Sequence, residues 1–226
     1  MRITENEKRL ETLCKKRKFE YFDVIDSTNL YLKNNVSDSM SVIVSDCQTA
    51  GRGRLGRSFY SRGGIYFSVP YKFTSDEKYL SFLTLSAGLA VRQAIKNITG
   101  LCALIKWPND IYLNGRKICG ILVETLVSGC DITAVVGIGI NTDTSDFPDD
   151  INNKAGSLNL KSFGRDNISL VSSVINILDE LVFNKKLTSE DNEETDNFVG
   201  LLNKYSYTVG RTVEYNGKKY TAVKIN

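Results

Sequence analysis

The chain has 226 residues, of which 42% are hydrophobic and 24% charged, as in a soluble globular domain rather than a disordered chain. Its net charge of +3 is too small to indicate nucleic-acid binding by itself. The sequence contains no histidine, which excludes histidine-based catalytic triads and zinc sites with histidine ligands.

The N-terminus and the apolar segments indicate where the protein resides. No apolar run approaches the roughly 18 to 20 residues that span a bilayer, and the start of the chain lacks the apolar core of a signal peptide. We therefore expect a cytoplasmic protein with no membrane partner. The five cysteines follow no C-x-x-C pattern and predict reduced thiols, mostly packing groups, at Cys14, Cys47, Cys102, Cys119 and Cys130.

The first third of the chain predicts one helix at the start, short strands, and a glycine–arginine segment between two of them. Asp26, Ser27 and Thr28 are good N-cap residues for a helix that continues through residues 30–35. The other elements, in chain order, are a helix over Glu5–Lys18, strands over 19–25 and 41–47, the segment Gly51–Ser61, and a strand over 64–71.

The rest of the chain predicts an apolar helix, a run of strands, and a second apolar helix. A polar loop follows the third of these strands, and the acidic stretch 189–198 is compatible with a helix. In chain order the elements are a helix over Asp76–Ile98, strands over 103–113 and 116–127 joined by an Asn114–Gly115 turn, a buried strand over 132–141, a loop over 142–154, a helix over Ser169–Phe183, and a hairpin around Asn216–Gly217. This order predicts an α+β fold with a mixed, mostly antiparallel sheet packed by helices.

The segment Gly51–Ser61 matches two nucleotide-binding patterns by its letters. Its glycines spell G-x-G-x-x-G, and it differs from a P-loop by one Lys-to-Arg change. Both patterns need a helix directly after the glycines, but β-forming residues follow here. Two interpretations remain: an anion-binding loop, in which glycine admits backbone N–H groups and arginine supplies a fixed fork, or a solvated basic loop.

Polar residues and glycines interrupt the later strands. The sequence KWPND, from Lys106 to Asp110, places a proline within a predicted strand, which indicates a bulge that re-aims side chains; an ordinary polar turn is the alternative. Gly120, Gly137 and Gly139 lie inside predicted strands, where glycine is unfavourable unless something approaches the backbone closely. These glycines predict a ligand that lies against the sheet.

Four motifs in order resemble those of biotin–protein ligases. They are DSTN at 26–29, QTAGRGRLGRSF at 48–59, KWPNDIYLNGRKICGILVE at 106–124 and GIGIN at 137–141, and the similarity extends over about residues 20 to 200. The resemblance implies a catalytic domain over 1–200 with a fold like that of class II aminoacyl-tRNA synthetases, followed by a partial SH3-like β segment, a truncated small barrel, over 201–226. It also implies a short form that lacks the N-terminal DNA-binding domain of some members.

The resemblance also implies an activity and its partners. Members use ATP and Mg²⁺ to convert biotin to biotinyl-5′-AMP, then transfer biotin to one lysine of a biotin carboxyl carrier protein. No specific DNA partner is expected, and a homodimer through the sheet edge is compatible with the resemblance. A lipoate or octanoate ligase and a biotin-binding regulatory module without transfer activity are the alternative functions.

The residue roles that the resemblance implies fall into overlapping sets. The catalytic residues are Arg54, Lys117 and Asp110, and Asp110 is also the metal ligand. The biotin-binding residues are Ser27, Thr28, Asn29, Gln48, Gly51, Arg52, Gly53, Arg54, Lys117, Gly120, Gly137 and Gly139. The ATP-binding residues are Arg52, Arg54, Arg57, Phe59, Lys106, Asn109, Lys117 and Asn141.

Overall fold

The computed structural model describes residues 4–35, 41–74, 80–183 and 192–225. Six α-helices, two short 3-10 helices and nine strands lie within these ranges. The helices are α1 (Glu5–Leu13), α2 (Thr28–Asn35), α3 (Leu80–Thr99), α4 (Asp149–Asn152), α5 (Asn167–Phe183) and α6 (Asn192–Lys204). The strands are β1 (Phe19–Phe22), β2 (Val42–Ser45), β3 (Ile65–Thr74), β4 (Leu104–Lys106), β5 (Asp110–Leu113), β6 (Arg116–Ser128), β7 (Asp131–Ile140), β8 (Thr212–Tyr215) and β9 (Lys218–Thr221).

Seven strands form one sheet in the order β1-β2-β3-β7-β6-β5-β4, and β8 and β9 form a separate hairpin. Only the β1–β2 pair of the large sheet is parallel; its other neighbours among the described strands are antiparallel. The predicted mixed, mostly antiparallel sheet packed by helices is confirmed. No helix in the described ranges has the length and apolar character that a membrane crossing requires.

Alternation along the central strands separates the two faces of the sheet. In β3, Ile65, Phe67 and Val69 are fully buried and belong to the main core, which α3 and α5 cover. The residues between them, Tyr66 and Ser68, therefore point to the opposite face. Helix α2 packs on that second face, which also carries the glycines of β6 and β7.

Several boundaries differ from those that the sequence predicts. Helix α1 ends at Leu13 rather than Lys18, because Cys14 leaves helical geometry. Strand β1 ends at Phe22, and Ile25 forms only an isolated bridge with Gln48. Residues 76–79 of the helix predicted over Asp76–Ile98 lie outside the described residues, and α3 continues to Thr99.

The prediction of one continuous strand with a bulge over 103–113 is wrong, and the alternative, a polar turn at KWPND, is confirmed. The chain reverses at Trp107–Asn109, so that β4 and β5 form an antiparallel hairpin in which Lys106 pairs with Asp110. Pro108 has no N–H to donate to a sheet, and at this position it terminates the strand rather than bending it. The reversal places Asn109 and Asp110 at one end of the sheet.

The residues that follow α6 contact the sheet at its β4 edge. The Ile105 amide donates to the Tyr205 carbonyl (2.8 Å), and the Tyr207 amide donates to the Ile105 carbonyl (2.8 Å). Helix α6 continues to Lys204 and therefore crosses the domain boundary proposed at residue 200. The loop predicted over 142–154 contains the one-turn helix α4.

Candidate active site

A cavity of about 270 Å³ opens on the second face of the sheet, between α2, the glycine–arginine segment and strands β6 and β7. The residues around it come from all four sequence motifs, although these motifs are far apart along the chain. The predicted site residues that line it are Ser27, Thr28, Asn29, Gln48, Arg52, Gly53, Arg54, Arg57, Phe59, Asn109, Asp110, Lys117, Gly120, Gly137 and Gly139.

A second cavity, of about 650 Å³, adjoins the first. Both cavities are lined by Gln48, Arg57, Ser58, Phe59 and Lys117, so these residues form the junction. Of the remaining predicted residues, the second cavity is lined by Gly51 and Asn141.

Lys106 lines neither of the two cavities. Its Nζ instead lies 3.3 Å from the hydroxyl of Tyr112 and above the ring of that residue. The side chain is exposed on the β4–β5 hairpin. Lys106 thus lines neither cavity itself, but it contacts Tyr112, which lines the second.

The glycine–arginine segment is a compact hairpin. Its arms are joined by bonds from the Gly53 amide to the Arg57 carbonyl (2.7 Å) and from the Phe59 amide to the Gly51 carbonyl (2.9 Å). At the tip, Leu55 and Gly56 adopt positive φ angles of 56° and 73°. Positive φ angles favour glycine, which occupies one of the two tip positions, and they turn the chain back within a few residues.

The hairpin makes the first cavity strongly cationic. All three of its arginines line the cavity, and Lys117 adds a fourth positive charge. Among the described lining residues Asp110 is the single carboxylate. Such an excess of fixed positive charge favours an anionic ligand.

The β4–β5 turn contacts the hairpin through Asn109. Its Oδ1 accepts a hydrogen bond from Nη1 of Arg54 (3.2 Å), and its Nδ2 donates to the carbonyl of Ile121 (3.1 Å). The Ile121 amide in turn donates to the Asn109 carbonyl (2.9 Å). Asn109 is thereby fixed on β6 and orients the arginine at the cavity mouth.

Lys117 and Asp110 form an ion pair at the junction of the cavities. The Nζ–Oδ1 distance is 2.7 Å, and both side chains are partly exposed. The lysine stem passes over Gly120, where a β-carbon would lie 3.3 Å from its Cε and Nζ. Its ammonium also lies 5.4 Å from the ring centre of Phe59. A mobile surface lysine would not be held by three such contacts.

The strand glycines allow side chains of the chain itself to lie on the sheet. Gly120 and Gly139 are opposite each other in the β6–β7 pair. A β-carbon at either would lie 2.8 or 2.7 Å from the ring of Phe59, and one at Gly137 would collide with the amide of Asn29. These glycines therefore have a packing role in addition to lining the cavity.

Hydrogen bonds fix the polar wall that α2 contributes. Oε1 of Gln48 accepts from the Thr28 amide (2.8 Å) and from its hydroxyl (3.1 Å). Nε2 of the same glutamine donates to Oγ of Ser61 (3.1 Å). The hydroxyl of Ser27 accepts from the Leu30 amide at 3.4 Å, as expected of an N-cap residue.

The sequence motifs did not assign roles to the residues behind this wall. Nδ2 of Asn29 donates to Oε2 of Glu124 (2.9 Å), and Lys33 Nζ pairs with the other carboxylate oxygen (2.7 Å). Ser68 lies 2.6 Å from Oδ1 of Asn29 and 2.8 Å from Oγ1 of Thr28. Strand alternation places Ser68 and Glu124 on the glycine-bearing face, but their position behind Asn29 depends on the register of β3, β7 and β6.

Asn141 lines the larger cavity and carries a buried acceptor without a partner in the described residues. Its side chain is buried, and Nδ2 donates to the Gly156 carbonyl (3.0 Å). Its Oδ1 is buried and has no hydrogen-bond partner within the described part of the chain. A buried acceptor without a partner is costly, so a ligand donor at this position would be stabilising.

Carboxylates are sparse around the two cavities. Asp110 lines the first and Asp150 the second. Across the described residues no group of three or more histidine, cysteine, aspartate or glutamate side chains could hold a metal ion. Mg²⁺ nevertheless often binds through one or two carboxylates, with substrate phosphates and water as the other ligands. This donor set fits a magnesium ion that arrives with a phosphate-bearing substrate.

The profile of the biotin/lipoate A/B protein ligase family matches residues 21–141. This region contains the hairpin, the polar wall of α2, the strands that carry Asp110 and Lys117, and Asn141 directly after β7.

Two curated relatives are similar over half of the chain or more. The bifunctional ligase/repressor BirA of Bacillus spizizenii is 39% identical over 150 residues, which cover 63% of this chain and 46% of the relative. The biotin–[acetyl-CoA-carboxylase] ligase of Paracoccus denitrificans is 40% identical over 126 residues, which cover 51% of each chain. The chain thus spans about half the length of these relatives.

Solved structures extend the similarity to most of the chain. The biotin protein ligase of Aquifex aeolicus in complex with biotin and ATP is 29% identical, with a TM-score of 0.76 over 92% of this chain and 88% of that one. A biotin protein ligase of Leishmania major with bound biotinyl-5-AMP shares the fold, with a TM-score of 0.67 at 22% identity.

Proposed function

This chain belongs to the biotin/lipoate A/B protein ligase family, and from that premise we propose that it activates biotin with ATP and transfers it to a protein lysine. The first product is biotinyl-5′-AMP, and the acceptor is a biotin carboxyl carrier protein. The observation that carries this proposal is the pair of adjoining cavities, which meet at Lys117 and Arg57. Two substrates placed in them could react at that junction.

Biotin fits the smaller cavity. Its polar ureido ring would face Ser27, Thr28 and Gln48, whose hydroxyl and amide groups line one wall. Leu122 and the ring of Phe59 supply apolar surface for the rest of the molecule. The biotin carboxylate would then reach the cationic junction.

ATP fits the larger cavity and the junction. The unpartnered Oδ1 of Asn141 is a suitable acceptor for the adenine amino group. The triphosphate would extend toward Arg57 and Lys117. Asp110 would hold Mg²⁺ together with the phosphates, and a bound Mg²⁺ would neutralise part of their charge.

The charges around the junction suit the first chemical step. A biotin carboxylate oxygen attacks the α-phosphorus of ATP, the bond to the bridging oxygen breaks, and pyrophosphate leaves. Two anions must meet in this reaction, and fixed cations lower the barrier by stabilising the negative charge of the transition state. Arg54 and Lys117 are held by Asn109 and Asp110 and so need little reorganisation.

The second step transfers biotin to the carrier. The lysine amine attacks the biotinyl carbonyl carbon, the bond to phosphate breaks, and AMP leaves. The attacking nitrogen must lose a proton, and Asp110 is the carboxylate of the first cavity that can accept it. The mixed anhydride reacts readily with water, so the arginine hairpin over the cavity would also protect it.

Lipoate is the alternative substrate, because the description of the matching family includes lipoate enzymes. The curated relatives described above are named as biotin ligases, which favours biotin. The two substrates also differ chemically: the dithiolane ring of lipoate cannot use the hydrogen-bonding wall of Thr28 and Gln48.

Incubation with biotin, MgATP and a purified carrier domain tests the proposal. Mass spectrometry should detect biotinyl-AMP and one biotinyl group on each carrier, and neither product should form when ATP is omitted. A folded chain that forms neither product would contradict the proposed function. Adenylate without a modified carrier would restrict the activity to the first step.

A further inference from the structure

We propose that Glu124 is a positioning residue for biotin: it fixes the orientation of the Asn29 amide and, through Ser68, the hydroxyl of Thr28 that faces the cavity. This inference rests on the proposed function, because it concerns how the biotin wall is organised. Glu124 does not line the biotin cavity itself. It would act through the residues in front of it.

A continuous line of short polar contacts connects Glu124 to the cavity. From Glu124 the contacts run to Nδ2 of Asn29 (2.9 Å), from Oδ1 of Asn29 to Ser68 (2.6 Å), and from Ser68 to Thr28 (2.8 Å). The last link joins the Thr28 hydroxyl to Oε1 of Gln48 (3.1 Å). Asn29, Thr28 and Gln48 all line the cavity.

The charge state of Glu124 determines the direction of hydrogen-bond donation along this line of contacts. Burial alone would raise the pKa of Glu124, but hydrogen bonds from Lys33 and Asn29, with the charges of Lys33 and Arg52, lower it overall. The side chain is therefore an ionised carboxylate near neutral pH, and both of its oxygens can only accept hydrogen bonds.

An acceptor at this position determines which way the asparagine amide points. Nδ2 must face Glu124, so Oδ1 faces Ser68, and the Ser68 hydroxyl donates to it. The hydrogen of Ser68 is then committed, and Ser68 presents only a lone pair to Thr28. The Thr28 hydroxyl therefore directs its own hydrogen toward Ser68 or Gln48 and presents a lone pair to a ligand. Without Glu124, Asn29 and Ser68 could adopt the reverse polarity.

The backbone around Asn29 is built for one orientation of its amide. The side chain is buried and lies across Gly137, where any β-carbon would collide with it. The carbonyl of Leu122 provides a second, longer contact to Nδ2 at 3.3 Å. Glu124 supplies the shorter and charged contact, which is the stronger of the two.

Steady-state kinetics of Glu124→Leu and Glu124→Gln test the proposal. The leucine variant removes the acceptor, and the KM for biotin should rise by about tenfold, the effect of one lost buried hydrogen bond, while the KM for ATP stays within about twofold. The glutamine variant keeps an acceptor oxygen for Asn29 and should restore the biotin KM to within about threefold of wild type. Glu180→Leu, an exposed glutamate on α5, is the matched control and should change neither value.

A second variant keeps the test decisive if Glu124→Leu fails to fold. Ser68→Ala removes the next link without altering Glu124, and it should raise the biotin KM by a similar factor. If both single variants fold, their effects should combine to less than the product, because they break one line of contacts.

Three results would overturn the inference. The first is an unchanged KM for biotin in Glu124→Leu or, if that variant does not fold, in Ser68→Ala. The second is an equal rise of the biotin KM in the leucine and glutamine variants. The third is a matching rise in the KM for ATP. By contrast, a wild-type chain that does not use biotin at all would contradict the proposed function, and the inference with it.

Discussion

At the scale of single residues, two lysines of one motif have different surroundings. Lys117 pairs with Asp110 and lines both cavities, whereas Lys106 lies against Tyr112 and lines neither. The sequence assigned both to nucleotide binding. Only the three-dimensional arrangement distinguishes them, and each assignment can be tested separately.

Lys117→Ala should greatly reduce adenylation and leave the fold intact. Its ammonium is held at the junction where negative charge develops, and the loss of one such preorganised group typically costs roughly 10² to 10³ in rate. Single-turnover formation of biotinyl-AMP, measured beside a thermal melt, separates the two effects. An unchanged rate would show that Lys117 does not act on the reacting groups.

Lys106→Ala should leave the KM for ATP unchanged, because the lysine itself lines neither cavity, although Tyr112, which it contacts, lines the second. The measurement is the same steady-state assay with varied ATP. If the KM for ATP rises about tenfold or more, the assignment made from the motif is supported, and the β4–β5 hairpin must move toward the nucleotide.

The cationic character of the site could be predicted at this scale, but its supporting contacts could not. The arginines of 51–57 and the strand lysine Lys117 follow from residue type, since phosphate and carboxylate need fixed positive charge. The roles of Glu124 and Ser68 depend on which residues the sheet brings behind Asn29. That information is in the register of β3, β7 and β6, not in any motif.

At the scale of the secondary-structure elements, the absence of a side chain at Gly137 of β7 allows α2 to pack on the sheet. Gly137→Ala should displace the Asn29 amide, because the new β-carbon would collide with it. We expect at least tenfold weaker biotin binding by calorimetry. Gly200→Ala is the matched control, since no atom lies within 4 Å of its β-carbon position. Because Gly200 lies in α6, this substitution should stabilise the protein by roughly 0.5 to 1 kcal/mol. Equal biotin affinity in the two variants would refute the packing argument.

Helix α1 is joined to the sheet through one buried carboxylate. Glu7 completes a capping box with Thr4, and its Oε1 accepts from the Tyr21 amide of β1 (2.9 Å). Burial alone would raise the pKa of Glu7, but hydrogen bonds from Thr4 and Tyr21 lower it below 4.5 overall. The lowered pKa means that this stabilisation is present above pH 4.5 and is lost as the pH falls through the folded value.

Glu7→Gln should therefore lower the free energy of unfolding at pH 7 by about 1 to 2 kcal/mol. The difference from wild type should shrink below pH 4.5 as Glu7 takes up a proton. Urea titrations at pH 7 and at lower pH measure both values. Glu5→Gln, an exposed change in the same helix, should cost less than about 0.5 kcal/mol. A difference for Glu7→Gln that grows on acidification would contradict the assignment.

The elements themselves could be predicted where hydrophobic periodicity is strong. The apolar stripe of α3 and the alternation of β3 predict their structure directly. The β4–β5 hairpin could not be distinguished from a bulged strand, because Pro108 is compatible with both and the pairing of Lys106 with Asp110 is a tertiary contact. Short elements such as α4 depend on similar contacts.

At the scale of the whole molecule, the strand order explains why four separate motifs form one site. Strands β3, β7 and β6 are neighbours, so GIGIN and GILVE lie side by side, and the arginine hairpin connects β2 to β3 above them. The order of motifs could be predicted from the sequence; their convergence follows from the antiparallel pairing. At the β4 edge, Tyr205 and Tyr207 use the backbone groups of Ile105, so a homodimer through the sheet edge remains a prediction for the β1 side.

Biotin-dependent exchange of labelled pyrophosphate into ATP tests the central claim most directly. It reports the reversible attack of the biotin carboxylate on the α-phosphorus and needs no carrier protein. We predict exchange that requires biotin and Mg²⁺, is strongly reduced in Lys117→Ala, and does not occur when lipoate replaces biotin. A folded chain that exchanges pyrophosphate with lipoate but not with biotin, or with neither, would contradict the account.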